Sequence, residues 1–234
     1  DDTNSDAASR DSYWAVQIEH DYIKAMDPGF AGTDYEMPIN VNLSQTCNAY
    51  WDGYSVNFFQ AGGGCANTGQ IADVIYHEYG HGVSQFVMAP LGPSGSEGEG
   101  FSDYIAATIT DQPLIGRGFF GPGSDLRSCD NTRQWPAPEC GGEVHCEGEV
   151  IAGALWQMRQ NMIAHFGHGR GVSHADSLFH YARYGGNQTF EGYYFDVLAV
   201  DDNNGTLVDG TPNARQIIMA FHDRHNIGPG WNLD

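Results

Sequence analysis

The feature that most constrains this chain is the run Ile71–His81, IADVIYHEYGH, which contains His77-Glu78-Tyr79-Gly80-His81, an H-E-x-x-H pattern. Ile71, Val74, Ile75, Val83 and Phe86 recur at mixed spacings of three, four and more, which predicts a helix buried on most sides at the centre of its domain. Side chains four positions apart on a helix share a face. His77 and His81 can therefore present two imidazoles to one zinc ion. Glu78, one residue on, turns its carboxylate towards the open position beside the ion rather than to the ion itself.

Catalytic zinc takes three protein ligands and keeps one position open, so a third ligand is required. Downstream lies Glu97-Gly98-Glu99-Gly100-Phe101-Ser102-Asp103, at the start of a second helical run, FSDYIAATIT. Glu99 and Asp103 have i, i+4 spacing and face the same way. Glu99 is the natural third ligand, and Asp103 is placed to accept the free ring N–H of a zinc histidine and hold its tautomer. Glu97 fits a solvated carboxylate at a helix start, where the helix dipole favours negative charge.

H-E-x-x-H followed by E-x-x-S-D resembles the thermolysin-like zinc endopeptidases, the gluzincins whose third ligand is a glutamate, with features of the fungalysins. The resemblance implies an α+β fold in two lobes: a small mixed sheet with a central zinc helix, then a mainly helical C-terminal lobe. The stretch MAPLGPSGSEGEG, rich in Gly, Pro and Ser, reads as the connection, dividing the chain into residues 1–92 and 93–234 of one catalytic unit. Asn48-Ala49-Tyr50-Trp51-Asp52-Gly53 is similar to the family's edge strand, to which substrate backbone adds by hydrogen bonding. That likeness implies Asn48 and Ala49 as substrate contacts. The stretch from Leu114-Ile115-Gly116 to Leu126-Arg127-Ser128 implies Arg127 as a ligand for the substrate carbonyl and a support for the specificity pocket. Gly142-Glu143-Val144-His145-Cys146-Glu147-Gly148-Glu149-Val150 resembles the segment whose histidine stabilises the tetrahedral intermediate, a role that falls on His145. An acidic partner for that histidine is expected; Cys140 stands near its usual place, which leaves Glu143 or Glu147.

Two departures stand out. Met88-Ala89-Pro90 carries no match for the family's oxyanion tyrosine. Val74 and Leu126 are expected to line an apolar pocket beyond the scissile bond, but Cys65 and Thr68 occupy positions where the family has larger apolar residues. Calcium is a second candidate ion. Asp73 remains of the family's acidic cluster with Asp111 nearby, and Asp201–Gly210 has the oxygen spacing of a calcium loop, although a helix-capping turn before Pro212 fits as well.

Composition narrows the setting. A net charge of −20 argues against nucleic acid as a partner, and no apolar run is long enough to span a membrane. The polar start DDTNSDAASR reads as a mature or processed N-terminus, which with the resemblance implies an upstream propeptide. Five cysteines suggest disulfides and an oxidising, extracellular compartment. Cys47 and Cys65 flank an expected hairpin and are the favoured pair; Cys129 with Cys140 is the second, with Cys146 free, and exchanging Cys140 for Cys146 is nearly equivalent. Helices are expected at 10–26, 148–166, 174–184, 191–200 and 212–225, the first with Tyr13, Trp14, Ile18, Tyr22 and Ile23 inward. His165, His168, His174 and His180 lack ligand spacing and read as surface. The whole predicts a secreted, monomeric zinc endopeptidase acting on peptides or proteins. A zinc aminopeptidase and a non-catalytic zinc protein are the alternatives, the former disfavoured by the lack of a G-x-M-E-N-like element.

Overall fold

The structure, a computed structural model, describes residues 6–230. The first five residues of the polar start therefore lie outside the described residues. Helix α1 (Ala7–Met26) is capped by Asp6, whose side chain accepts from Ser9 N at 2.9 Å, and it ends at Asp27 ahead of Pro28-Gly29. Its buried stripe is Ala8, Ser12, Ala15, Glu19 and Ile23. Tyr13 (60% exposed), Trp14 (65%) and Ile18 (45%) face outward, the opposite of the expected orientation. Close approach is the reason. The helix lies against the turn Thr68–Gln70, where Ser12 Oγ donates to Gly69 O at 2.9 Å and a Cβ at Gly69 would sit 3.4 Å from Ala8 Cβ. Only small side chains fit that crossing.

Strands β1 (Ile39–Leu43), β2 (Ala49–Trp51) and β3 (Val56–Phe59) form a mixed sheet in the order β1-β3-β2. β3 is central and buried throughout; it runs parallel to β1 and antiparallel to β2, which is left as an edge. The β2–β3 turn is set by Asp52, whose carboxylate accepts from Tyr54 N and Ser55 N at 2.9 and 2.6 Å while Gly53 takes φ +96°.

Helix α2 (Ala72–Val87) is buried along nearly its whole length, as the apolar spacing predicts. Helix α3 (Gly95–Thr110) opens with a capping box, in which Ser94 and Glu97 satisfy each other's backbone N–H. Glu97 is thus buried and structural rather than solvated. The hairpin β4 (Leu114–Ile115) and β5 (Arg127–Ser128) follows. Then come α4 (Val144–Phe166), α5 (His168–Ala182), α6 (Phe190–Asp201) and α7 (Ala214–Ile218), the last widening into π turns over Met219–Arg224. The class is α+β: mostly helical, with a small mixed sheet. Helix α4 starts earlier than expected because Glu143 caps it, which places His145 in its first turn. Helices α3 and α4 cross at two glycines. A Cβ on Gly148 would meet Glu99 Cβ at 2.8 Å, and one on Gly100 would meet Ile151 Cγ2 at 2.2 Å. Their absence of side chains brings the Glu99 and His145 backbones together.

Cys47 and Cys65 form the expected disulfide, tying the entry of β2 to the loop after β3. The second pairing is corrected: Cys140 joins Cys146, while Cys129 is free and buried. Cys129 follows β5 into the interior. The turn Pro138–Cys140 and Gly141-Gly142, both at positive φ, fold the chain straight back to the first turn of α4, so Cys140 meets its nearest neighbour in sequence.

Behind α2 lies a buried polar group that the apolar patterning hides. His180, read as surface, is fully buried: its Nε2 lies 3.0 Å from Asp27 Oδ2 and its Nδ1 2.8 Å from Arg183 Nη2. Arg183 also donates to Ser84 Oγ at 3.0 Å. Glu19, on α1, is buried with neither carboxylate oxygen hydrogen-bonded within the protein. Burial pushes its pKa well above the ordinary carboxylate value, against the pull of Arg183 and His77. The folded state thus holds a proton that the unfolded chain releases, and stability falls as pH rises above the unfolded value. Glu19→Gln removes this loss. Its melting temperature relative to the wild type is expected to rise as the pH climbs above about 4; an offset constant with pH in thermal melts would contradict the assignment.

Candidate metal centre

Two helices build the centre. α2 sets His77 and His81 one turn apart, with their Nε2 atoms 3.1 Å from each other. α3 brings in Glu99, whose carboxylate oxygens lie 3.1 Å from His77 Nε2 and 3.7 Å from His81 Nε2. One ligand atom from each residue falls within 4.8 Å of the other two, the only group of three His, Cys, Asp or Glu able to hold a metal ion among the described residues. Ligands about 2.0–2.1 Å from a tetrahedral ion lie about 3.3 Å from one another, so the triangle already has the size of three corners. Glu99 Oε2 is buried with no hydrogen-bond partner, a cost that a bound cation removes. The donor set and the orphaned oxygen both fit a divalent metal.

Behind the ligands stands Asp103. His77 Nδ1 lies 2.8 Å from Asp103 Oδ1, which leaves Nε2 as the metal-facing atom. Asp103 in turn accepts from Arg127 Nε and Nη2 at 2.5 and 2.7 Å. Arg127 therefore reaches the site by holding Asp103, and it also borders the smaller cavity described below. Arg133, its neighbour, turns away to Glu139.

The charges are arranged around the metal position. Burial opposes a cation on His77, but Asp103 and Glu99 outweigh it and raise its pKa to about 10. Burial, with the charge on His77, lowers His81 to about 4. Burial acts against ionised Glu99, yet His77, 3.1 Å away, and the neighbouring imidazoles take it down to about 2. At neutral pH His77 thus carries a second ring proton, on Nε2, and metal must displace it. Metal affinity is expected to weaken about tenfold for each pH unit lost. Calorimetric titration at about pH 8 in two buffers of different ionisation enthalpy should report at least one proton released per ion; a buffer-independent enthalpy would contradict it.

Glu78 sits beside this triangle, buried, with the main-chain N–H of Trp51 nearby. Burial raises its pKa to about 7 despite the pull of His77. A carboxylate in that range can both take and return a proton near neutral pH. His145 stands at the opening, half exposed, with Nε2 3.3 Å from Glu99 Oε2. Its Nδ1 lies 2.6 Å from Glu143 Oε1, so Glu143 is its acidic partner. Glu147 is engaged elsewhere, accepting from Ser96 Oγ at 2.8 Å.

The centre opens into a cleft of about 720 Å³ whose walls include Asn48, Ala49, Trp51, Pro93, Ser94 and His145. β2, the sheet edge, forms one side of it. No side chain in the 88–95 segment supplies the missing tyrosine hydroxyl. A smaller pocket of about 240 Å³ adjoins, lined by Val74 and Leu126 as expected, and by Ile115, Phe119 and Phe120, which the sequence reading did not single out. The Phe119-Phe120 pair between glycines was the available signal. Cys65 and Thr68 do not line it: the first is in a disulfide, and the second donates to Asn48 O. No known protein-family model matches the chain, and no curated protein matches it.

The calcium candidates are occupied by protein partners. Asp73 accepts from Gly116 N, Arg117 N and Arg117 Nε. Asp111 pairs with Arg159 and His168. Asp201 accepts from Thr211 Oγ1 and Asn213 N, tying its loop to the start of α7, which itself has no side-chain cap. No helix among the described residues is long and apolar enough to cross a membrane.

Proposed function

We propose that this chain is the catalytic domain of a zinc endopeptidase with the two-lobed thermolysin-like organisation, divided near residues 92 and 93. The observation that carries the reading is the convergence of His77, His81 and Glu99 on one point, with Glu78 and His145 on either side of it and a sheet edge alongside. Zinc bound there supplies Lewis acidity to the scissile carbonyl and acidifies its water.

The chain's own residues do the rest. β2 accepts the substrate backbone as a further strand, through Ala49 and its neighbours, and Asn48 adds a side-chain contact. Glu78 takes the proton from the attacking water and passes it to the leaving amine, a shuttle suited to a pKa of about 7. His145, its ring held through Nδ1, offers Nε2–H to the developing oxyanion. With no tyrosine beside it, His145 carries more of that load. Arg127 keeps Asp103, and so His77, in place. The pocket of about 240 Å³ receives an apolar side chain.

An aminopeptidase would need carboxylates to capture a free amine. Apart from Glu78 and Glu99, neither cavity at the site is lined by one. A non-catalytic zinc protein has no use for a buried Glu78 beside the open position. The two disulfides are compatible with secretion, and the reading takes the protein to be extracellular and matured from a propeptide. Zinc analysis of the purified protein, with cleavage of a peptide blocked at both ends, tests it. Zinc-loaded protein that is inert on blocked peptides would overturn it.

A further inference from the structure

His145 presents a physical difficulty. The side chain that must hold an oxyanion is half exposed, and its partner Glu143 is no better covered. Exposed ion pairs fix geometry poorly, because water competes and both side chains keep their freedom. Something else must hold the pair still. The Cys140–Cys146 disulfide closes a ring separated by only six positions, and both Glu143 and His145 lie inside it. Within the ring, Glu143 makes three contacts. Its Oε1 accepts from His145 N at 3.1 Å and lies 2.6 Å from His145 Nδ1, and its Oε2 accepts from Cys146 N at 2.8 Å. Glu143 is thus at once the helix cap and the acidic partner. Outside the ring, Arg133 Nη1 donates to Cys140 Sγ at 3.5 Å and to Glu139 at 2.8 Å.

We infer that the Cys140–Cys146 disulfide is a positioning device for the proposed reaction: it anchors the first turn of α4 so that Glu143 can hold His145 over the metal centre. The inference rests on the endopeptidase reading and adds to it. Cys140 and Cys146 touch no reacting atom. Their work is to add a covalent tie across the Gly141-Gly142 turn, whose closure otherwise rests on single backbone hydrogen bonds such as Glu143 N to Cys140 O at 3.1 Å. A misplacement of about 1 Å at such a group can cost about a hundredfold in rate.

The test is a double-mutant cycle on a blocked peptide, with zinc content and melting temperature measured for each protein. Cys140→Ser with Cys146→Ser is expected to lower kcat about tenfold or more, with KM within about twofold and zinc retained. Introduced into a His145→Ala background, the same pair should cost little further, because the residue it positions is gone. Glu143→Ala should reproduce the loss of kcat, and Glu143→Gln, which keeps only one of the two acceptor oxygens, should recover part of it. Wild-type kcat in the disulfide variant, or an equal loss with and without His145, overturns the inference while leaving the endopeptidase reading intact. If the disulfide variant does not fold, Glu143→Ala decides: kcat within about twofold of the wild type overturns it. Zinc-loaded wild type that leaves the blocked peptide intact overturns both.

Discussion

Replacing Glu78 by Gln is expected to lower kcat about a thousandfold while zinc stays bound. The substitution keeps the shape and one acceptor oxygen, so the cleft should be undisturbed. It removes the one ionisable oxygen that faces the open position without belonging to the ligand set. Burial holds that carboxyl near the pH at which proton transfer in both directions is efficient, and an amide can do neither transfer. KM should change little, since Glu78 is not assigned a substrate contact. Steady-state kinetics on a blocked peptide, with metal analysis of the same sample, checks the expectation. Turnover within about tenfold of the wild type would remove Glu78 from the mechanism.

Glu99→Ala should act on the metal itself. Loss of an outer-sphere partner typically costs 10- to 100-fold in metal affinity, so loss of a ligand should cost at least about a hundredfold. Two imidazoles would remain, with His77 still held at Nδ1 by Asp103. Two ligands leave two corners of the ion to water, and binding becomes weak and labile. Activity should vanish at low zinc and return only in part when excess zinc is added. The variant should also lose most of the zinc-dependent rise in melting temperature, because a ligand stabilises the folded state only by binding it. Competition with a chromophoric chelator measures the affinity directly. Unchanged affinity would mean that Glu99 is no ligand, and the site would have to be redrawn.

Much of the centre was legible in advance because it depends on local periodicity. Four-residue spacing on a helix brings His77 over His81 and Glu99 over Asp103 wherever those helices lie. The apolar residues around His77 state that their helix is buried, and the structure buries it. What local spacing cannot state is which surface a helix meets. Tyr13 and Trp14 look like core residues by hydropathy, but α1 approaches Gly69 so closely that Ala8 and Ser12 are the side chains that fit. His180 reads as surface by composition and is buried because Asp27 and Arg183 satisfy both ring nitrogens. Arg127 and Phe119 likewise reveal their work only when the hairpin packs against α3, where Arg127 meets Asp103, and closes the smaller pocket.

By itself, then, the sequence singled out His77, His81 and Glu99 as a group able to hold a metal ion, with Glu78 beside it, since the i, i+4 pairs on each helix follow from local spacing; the α+β class followed from the family resemblance. Only the tertiary structure decided the Cys140–Cys146 pairing, the choice of Glu143 over Glu147 beside His145, and the protein partners that occupy Asp73, Asp111 and Asp201. Those outcomes turn on which of several chemically equivalent groups comes within about 3 Å of another, and that is set by how whole elements pack, through contacts that no local pattern records.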